Sequence, residues 1–219
     1  MTRRELPGPA PVRLWMVALD AMPDGDAIAT LSDAERQQAQ RFAFEHLRRR
    51  YLAAHVGLRE ILAAYTGLAA NELRFATGSF GKPTLVPPRC AFNMSHSDEL
   101  ALIAVAPQGN IGVDIERLRT VSDSLSLSQR NFTPAEHRQV ADAPPDQRDL
   151  VFLRGWTRKE ACLKALGSGL SIAPESFEAG ADTSERQVNV PTPNGIARVQ
   201  VQSLPETGGG VMALAWVLG

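Results

Sequence analysis

Residues 92–116, FNMSHSDELALIAVAPQGNIGVDIE, carry the pattern from which the fold is read. Leu100 to Ala106 is an uncharged apolar run of strand length, as expected of a strand buried on both faces. Pro107-Gln108-Gly109-Asn110 supplies turn chemistry and Ile111-Gly112-Val113 opens a second strand, so the two are expected to pair as a hairpin. Its polar ends, Ser95-His96-Ser97 and Asp114-Ile115-Glu116, would then share one rim of a sheet, with His96 in a loop between two serines. Asp114 and Glu116 are two residues apart, so an extended backbone turns both carboxylates to one face. Adjacent acids repel and invite a cation between them; the pair also reads as two surface acids on a solvated strand end.

Upstream, Val12 to Leu19 fits a strand and Asp20 to Asp26 a loop. Ser32-Asp33-Ala34-Glu35 is a capping box, so a helix starts there and is expected to continue through Arg36 to Glu45. Arg48-Arg49-Arg50 opens a second helical pattern, apolar at Leu58, Ile61, Leu62 and Tyr65, with Gly67 as its stop. Leu73 to Ala76 reads as a short strand and residues 77–81 as a glycine-bearing loop before Lys82-Pro83. Downstream, Thr133-Pro134-Ala135-Glu136 starts a helix that Ala143-Pro144-Pro145 ends. Asp146 to Leu166 is the longest helical pattern, stopped at Gly167-Ser168-Gly169, while Leu118 to Gln129 resists assignment. Three β segments close the chain, at Val188–Val190, Ile196–Val201 and Val211–Val217. The order predicts an α+β protein of two similar halves, 1–109 and 110–219, with the polar clusters at their seam.

The 219 residues, 44% apolar and 21% charged, exclude disordered and fibrous classes. A formal charge of -1 gives no global pull toward nucleic acid or an acidic membrane, and the one triplet Arg48 to Arg50 is a poor footprint for nucleic acid. Cys90 and Cys162 form neither a disulfide framework nor a metal spacing and read as small buried residues. Without a signal-like apolar core or a run near the ~20 residues of a membrane span, a cytoplasmic, membrane-free protein is expected.

On the long helix, Trp156, Glu160 and Lys164 are spaced four apart along one ridge. Glu160 and Lys164 alone are an ordinary surface ion pair, but a tryptophan on the same ridge argues that it faces protein. Asp114 and Glu116 with a divalent cation would then supply partners for that inward carboxylate and amine.

Ile111 to Glu116 and Trp156 to Lys164 together resemble the paired signature of the 4′-phosphopantetheinyl transferase superfamily. Gly81-Lys82-Pro83, Phe92 to Ser97, and Gly167-Ser168-Gly169-Leu170-Ser171 with Phe177 match it in the same order, across roughly residues 12–218. The two-half organisation looks like the surfactin-synthetase-activating branch, pseudo-dimeric and monomeric, which implies two α/β halves related by a pseudo-twofold axis. The resemblance implies a Mg²⁺-dependent enzyme that moves the phosphopantetheine arm of coenzyme A onto a serine of an apo acyl or peptidyl carrier protein. By the same resemblance Asp114, Glu116 and Glu160 hold Mg²⁺, Glu160 is general base, and Lys164 stabilises the pyrophosphate. His96 and Ser95 would contact coenzyme A phosphate, Lys82 and Pro83 the nucleotide side, and Arg49 or Arg50 the 3′-phosphate.

The chain departs from the better-known pattern at Glu35 and Gln38, where a close relative would carry lysines, and at Tyr51, which replaces a small hydroxyl residue that the relative uses near the 3′-phosphate. The 3′-phosphate grip is therefore expected to move onto Arg36, Arg41 and Arg49. His46, His55 and His137 read as structural or solvent-facing. Two rival readings use the same residues: a Mg²⁺-dependent coenzyme A pyrophosphohydrolase, and a non-catalytic binder of coenzyme A or carrier protein.

Overall fold

The computed structural model describes residues 2–78 and 80–219, with Leu170 described by its backbone alone. Ser79, inside the loop read over 77–81, and the Leu170 side chain, in the run after the long helix, lie outside the described residues. The chain forms two units, residues 1–77 with 83–108 and residues 78–82 with 109–219.

The first unit contains β1 (Arg3–Leu6), β2 (Arg13–Ala18), α1 (Gly25–Ala29), α2 (Asp33–Gln40), α3 (Glu45–Thr66), β3 (Phe75–Thr77), β4 (Pro83–Leu85), β5 (Ala91–Ser97) and β6 (Leu100–Ala106). Its antiparallel sheet runs β1-β2-β6-β5. Every residue of β6 is buried, as the apolar run predicts. Val17, Leu58, Ile61, Leu62, Phe92, Ile103 and Val105 form the core under the sheet. Each such side chain taken from water stabilises the fold by roughly 1.5–3 kcal/mol.

The second unit contains β7 (Ile111–Arg117), α4 (Ser124–Asn131), α5 (Pro134–Asp142), α6 (Arg148–Leu166), β8 (Arg186–Thr192), β9 (Gly195–Thr207) and β10 (Gly210–Val217). Its sheet runs β7-β10-β9-β8, and α6 packs on it through Ala161, Cys162 and Ala165 against Val199, Val201, Ala213 and Ala215. Both units are α+β, each a four-stranded antiparallel sheet with one long helix.

The expected hairpin between residues 100–106 and 111–116 does not form. A strand buried on both faces needs a partner on each edge, and β6 takes β5 on one and β2 on the other. No edge remains for β7, which pairs with β10 instead, Asp114 opposite Ala213. The tight turn that the sequence suggests at 107–110 lies earlier, at Asp98-Glu99, where Ser97 faces Leu100 and Asp98 takes φ 49°. An Asp tolerates that left-handed backbone better than most residues. His96 is accordingly on a strand, not in a loop.

The capping boxes at Ser32 and Thr133 and the left-handed stops at Gly67 and Gly167 are as expected. The first of these helices ends at Gln40 rather than running to Glu45, although no Gly or Pro stands there. Phe42 turns out to pack on the Tyr51 ring, 5.3 Å between centroids, and Phe44 is extended. Residues 124–131, part of the segment that resisted assignment, form α4, and β1 and α1 went unread.

Candidate functional site

In the second unit the placement of the acids begins with a missing side chain. A Cβ on Gly112 would lie 2.2 Å from both the Ala161 carbonyl oxygen and the Ala165 amide nitrogen of α6. The strand face that carries Gly112 therefore touches α6 backbone, and the pleat puts Asp114 and Glu116 on that face. Lys164 Nζ, on α6, donates to Asp114 Oδ1 at 2.6 Å, with Asp114 only 5% exposed. Glu160, one turn before Lys164, has its carboxyl pushed above the ordinary range, mainly by burial and then by the Asp114 charge. Glu116 adds to that rise and Lys164 opposes it. Thus Asp114, Glu116, Glu160 and Lys164 share one electrostatic field. Trp156 anchors the same ridge, stacked on Phe152 at 6.3 Å, which stacks on Phe132 at 5.4 Å. A cavity of about 260 Å³ opens beside it, lined by Glu116, Val121, Leu127, Phe152 and Trp156.

The donor chemistry fits a hard divalent cation, because three carboxylates supply oxygens alone, and Asp114 and Glu116 add to the rise that burial gives Glu160. Among the described residues, no group of three His, Cys, Asp or Glu side chains is placed so as to hold a metal ion, Asp114, Glu116 and Glu160 included. Lys164 is the cation on Asp114 here. Between these residues, Lys159 and Arg158 are buried and structural. Lys159 Nζ lies 2.8 Å from Glu136 and donates to the Pro174 carbonyl at 2.8 Å, while Arg158 Nε donates to the Ala179 carbonyl at 2.7 Å.

Lys82 is also in this unit. Its ammonium donates to the carbonyls of Ile111 and Ala165, each at 2.9 Å, and burial pushes its pKa down to about 8.

In the first unit a cavity of about 220 Å³ is lined by Phe42, Arg50, Tyr51, His55, His96 and Asp98, among others. Arg50 Nε donates to Asp20 Oδ1 at 2.8 Å, and its Nη1 lies 3.5 Å from Asp98 Oδ1. Arg49 Nη2 is 3.7 Å from Asp20, while its buried Nε makes no hydrogen bond among the described residues. His96 is exposed and Ser95 buried, since the β5 pleat sends them to opposite faces. The structure thus gathers Arg50 and His96 round one cavity but does not bring Ser95 to it. Arg36 and Arg41 stay on their own helix and its cap, with Asp33 and Leu31 and with Gln38.

Glu35, the departure noted in the sequence, has a structural use. It closes the capping box with Ser32 and takes the buried Arg59 guanidinium at 2.7 Å.

Residues 110–209 match the 4′-phosphopantetheinyl transferase superfamily, and residues 25–108 match the family described as 4′-phosphopantetheinyl transferase, N-terminal. The 4′-phosphopantetheinyl transferase HetI of a Nostoc species is 42% identical over 171 residues, 75% of this chain and 72% of that one. The chain belongs to the 4′-phosphopantetheinyl transferase superfamily. The 4′-phosphopantetheinyl transferase Sfp of Bacillus subtilis is 30% identical over 148 residues, 67% of this chain and 65% of that one. The human L-aminoadipate-semialdehyde dehydrogenase-phosphopantetheinyl transferase is 24% identical over 164 residues, covering 69% and 53%. Together the family matches include Asp114, Glu116 and Glu160 of the second unit and Arg50, Tyr51, His55 and His96 of the first.

The sequence marks Tyr51 as a departure in this transferase but does not show its pairing with His55. Their rings stack at 3.9 Å, His55 Nδ1 donates to the Tyr51 carbonyl at 2.9 Å, and both line the cavity with His96. His55 is thus structural rather than solvent-facing, and it also lines the cavity. The i, i+4 spacing of an aromatic and a histidine beside Arg50 was the available signal. Burial holds the His55 imidazole below its ordinary value of 6.5, so folding disfavours its protonated form. The unfolded chain takes up this proton first, so stability is full above about pH 6.5 and falls as pH drops toward the folded value. Thermal melts at about pH 7.5 and 5.5 should show a smaller loss for His55→Asn than for the parent protein. An equal loss in both would remove His55 from the linkage.

Among the described residues, no helix is long and apolar enough to cross a membrane.

Proposed function

We propose that the protein transfers the 4′-phosphopantetheine moiety of coenzyme A to a serine hydroxyl of an apo carrier protein, releasing adenosine 3′,5′-bisphosphate. The observation that carries this reading is Asp114, Glu160 and Lys164 in one field on the facing surfaces of β7 and α6. Asp114, Glu116 and Glu160 would hold Mg²⁺, which when bound neutralises the pyrophosphate charge. Glu160 accepts the proton of the incoming serine, a role suited to a carboxylate raised by burial and like charge. As the serine oxygen bonds to the β-phosphorus, the bond from that phosphorus to the bridging oxygen breaks. Adenosine 3′,5′-bisphosphate leaves with that bond's electron pair. Lys164 lies on Asp114 and offers its ammonium to the developing phosphate charge. In the first unit, Arg50 and His96 take anionic groups of coenzyme A, with Arg49 nearby through Asp20. The protein acts as a monomer in the cytoplasm on this reading.

The test is to combine protein, coenzyme A, Mg²⁺ and several apo carrier proteins, and to weigh the carriers. Gain of one phosphopantetheine per carrier is expected. Nucleotide release without a carrier would favour the pyrophosphohydrolase, and binding without any reaction the non-catalytic binder. Asp114→Ala and Glu160→Gln should each lower transfer by about a hundredfold or more while coenzyme A still binds. Near-normal turnover in either would overturn its assigned role.

A further inference from the structure

We infer that Lys82 is a positioning residue, holding the start of β7 to the last turn of α6 and so setting how Asp114 faces Glu160 and Lys164. This inference rests on the transferase reading of those residues, and it replaces the nucleotide-side contact that the sequence suggests for Lys82. Two of the three ammonium donors are spent on carbonyls fixed by secondary structure, Ile111 in the strand and Ala165 in the helix, both at 2.9 Å. Ile111 stands three residues before Asp114, and Ala165 directly follows Lys164. The Ala165 carbonyl belongs to the final helical turn, whose carbonyls lack intrahelical partners and favour a cation.

The place matters because the two elements meet there without a cushion. Gly112 brings strand backbone against the backbone of residues 161 and 165. No side chain lies between to absorb a slip, and packed backbone deforms little. The lysine stem completes the fit: a Cβ on Gly167, which holds φ 66°, would lie 3.2 Å from Lys82 Cδ. A half-buried lysine committed on both sides in this way is unlike a mobile surface lysine that gathers phosphate.

Lys82→Arg and Lys82→Met separate the two roles. A phosphate contact tolerates Arg, which keeps the charge, and in Met loses about tenfold in affinity for adenosine 3′,5′-bisphosphate. The positioning role predicts the reverse: kcat falls about tenfold or more in both variants, with the bisphosphate Kd and the coenzyme A KM within about twofold. Amide exchange across residues 112–116 and 163–166 should also quicken in both. Weakened bisphosphate binding with kcat intact would overturn the inference, as would unchanged exchange. If Lys82→Met fails to fold, Lys82→Arg carries the same comparison. If the parent protein transfers nothing, the functional reading falls, while the exchange data still decide whether Lys82 joins β7 to α6.

Discussion

Gly112→Ala should destabilise the protein by about 3 kcal/mol or more and abolish transfer, although it adds a single methyl group. The added carbon would sit 2.2 Å from two backbone atoms of α6, far inside van der Waals contact. Neither atom can swing aside as a side-chain tip could, so the helix must move off the strand as a whole. Overpacking elsewhere in cores costs about 1–3 kcal/mol, and this site lies at the upper end because backbone gives way least. Moving α6 also carries Glu160 and Lys164 away from Asp114. Denaturant unfolding and carrier loading check both consequences. A variant that melts normally and keeps its turnover would show that β7 and α6 do not meet as closely as described.

Glu136→Ala is expected to lower stability by about 3–5 kcal/mol, on the order of 10 °C in melting temperature for a chain of this size. Glu136 is fully buried and accepts from the Thr133, Ala179 and Gly180 amides at 2.8, 2.7 and 2.8 Å. Its fourth partner is the Lys159 ammonium at 2.8 Å, itself held by the Pro174 and Phe177 carbonyls at 2.8 and 2.5 Å. Phe132 and Phe177 present their faces to that ammonium at 5.6 and 4.6 Å. Truncation would leave three amides and one cation buried without their acceptor, which is costlier than losing a surface pair. Glu136→Gln, which keeps an oxygen for the amides, should lose less. Equal losses in the two variants would mean that the charge, not the amide network, dominates. Differential scanning calorimetry on both gives the comparison.

Much of this architecture was legible in local chemistry. Capping boxes at Ser32 and Thr133, glycine stops at 67 and 167, and the apolar run at 100–106 are signals that act within one turn or one strand. The ridge of Trp156, Glu160 and Lys164 was legible too, because helical spacing fixes a face whatever lies opposite. Strand pairing was not. Nothing in residues 107–110 says whether a turn returns the chain to the same sheet, and the answer depended on β2 and β5 claiming both edges of β6. Nor does charge reveal burial: Arg158 and Lys159 are buried because acceptors distant in sequence take them. The Tyr51–His55 wall was hidden for a similar reason, since its meaning comes from Phe42 and His96 on other elements.

Arg50 meets the solvent already attended by Asp20, at 2.8 Å, and by Asp98, at 3.5 Å. Binding of an anion in that cavity is therefore an exchange of partners rather than the filling of a bare positive site. Both resident carboxylates are about half exposed, so water and dissolved salt compete for them as well as for the arginine. Salt that weakens the incoming contact also loosens the contact being replaced, and the two effects partly cancel. Affinity at this cavity should thus respond to ionic strength less steeply than its cationic side chains alone would suggest. Selectivity there would favour ligands carrying more charge than one carboxylate can match.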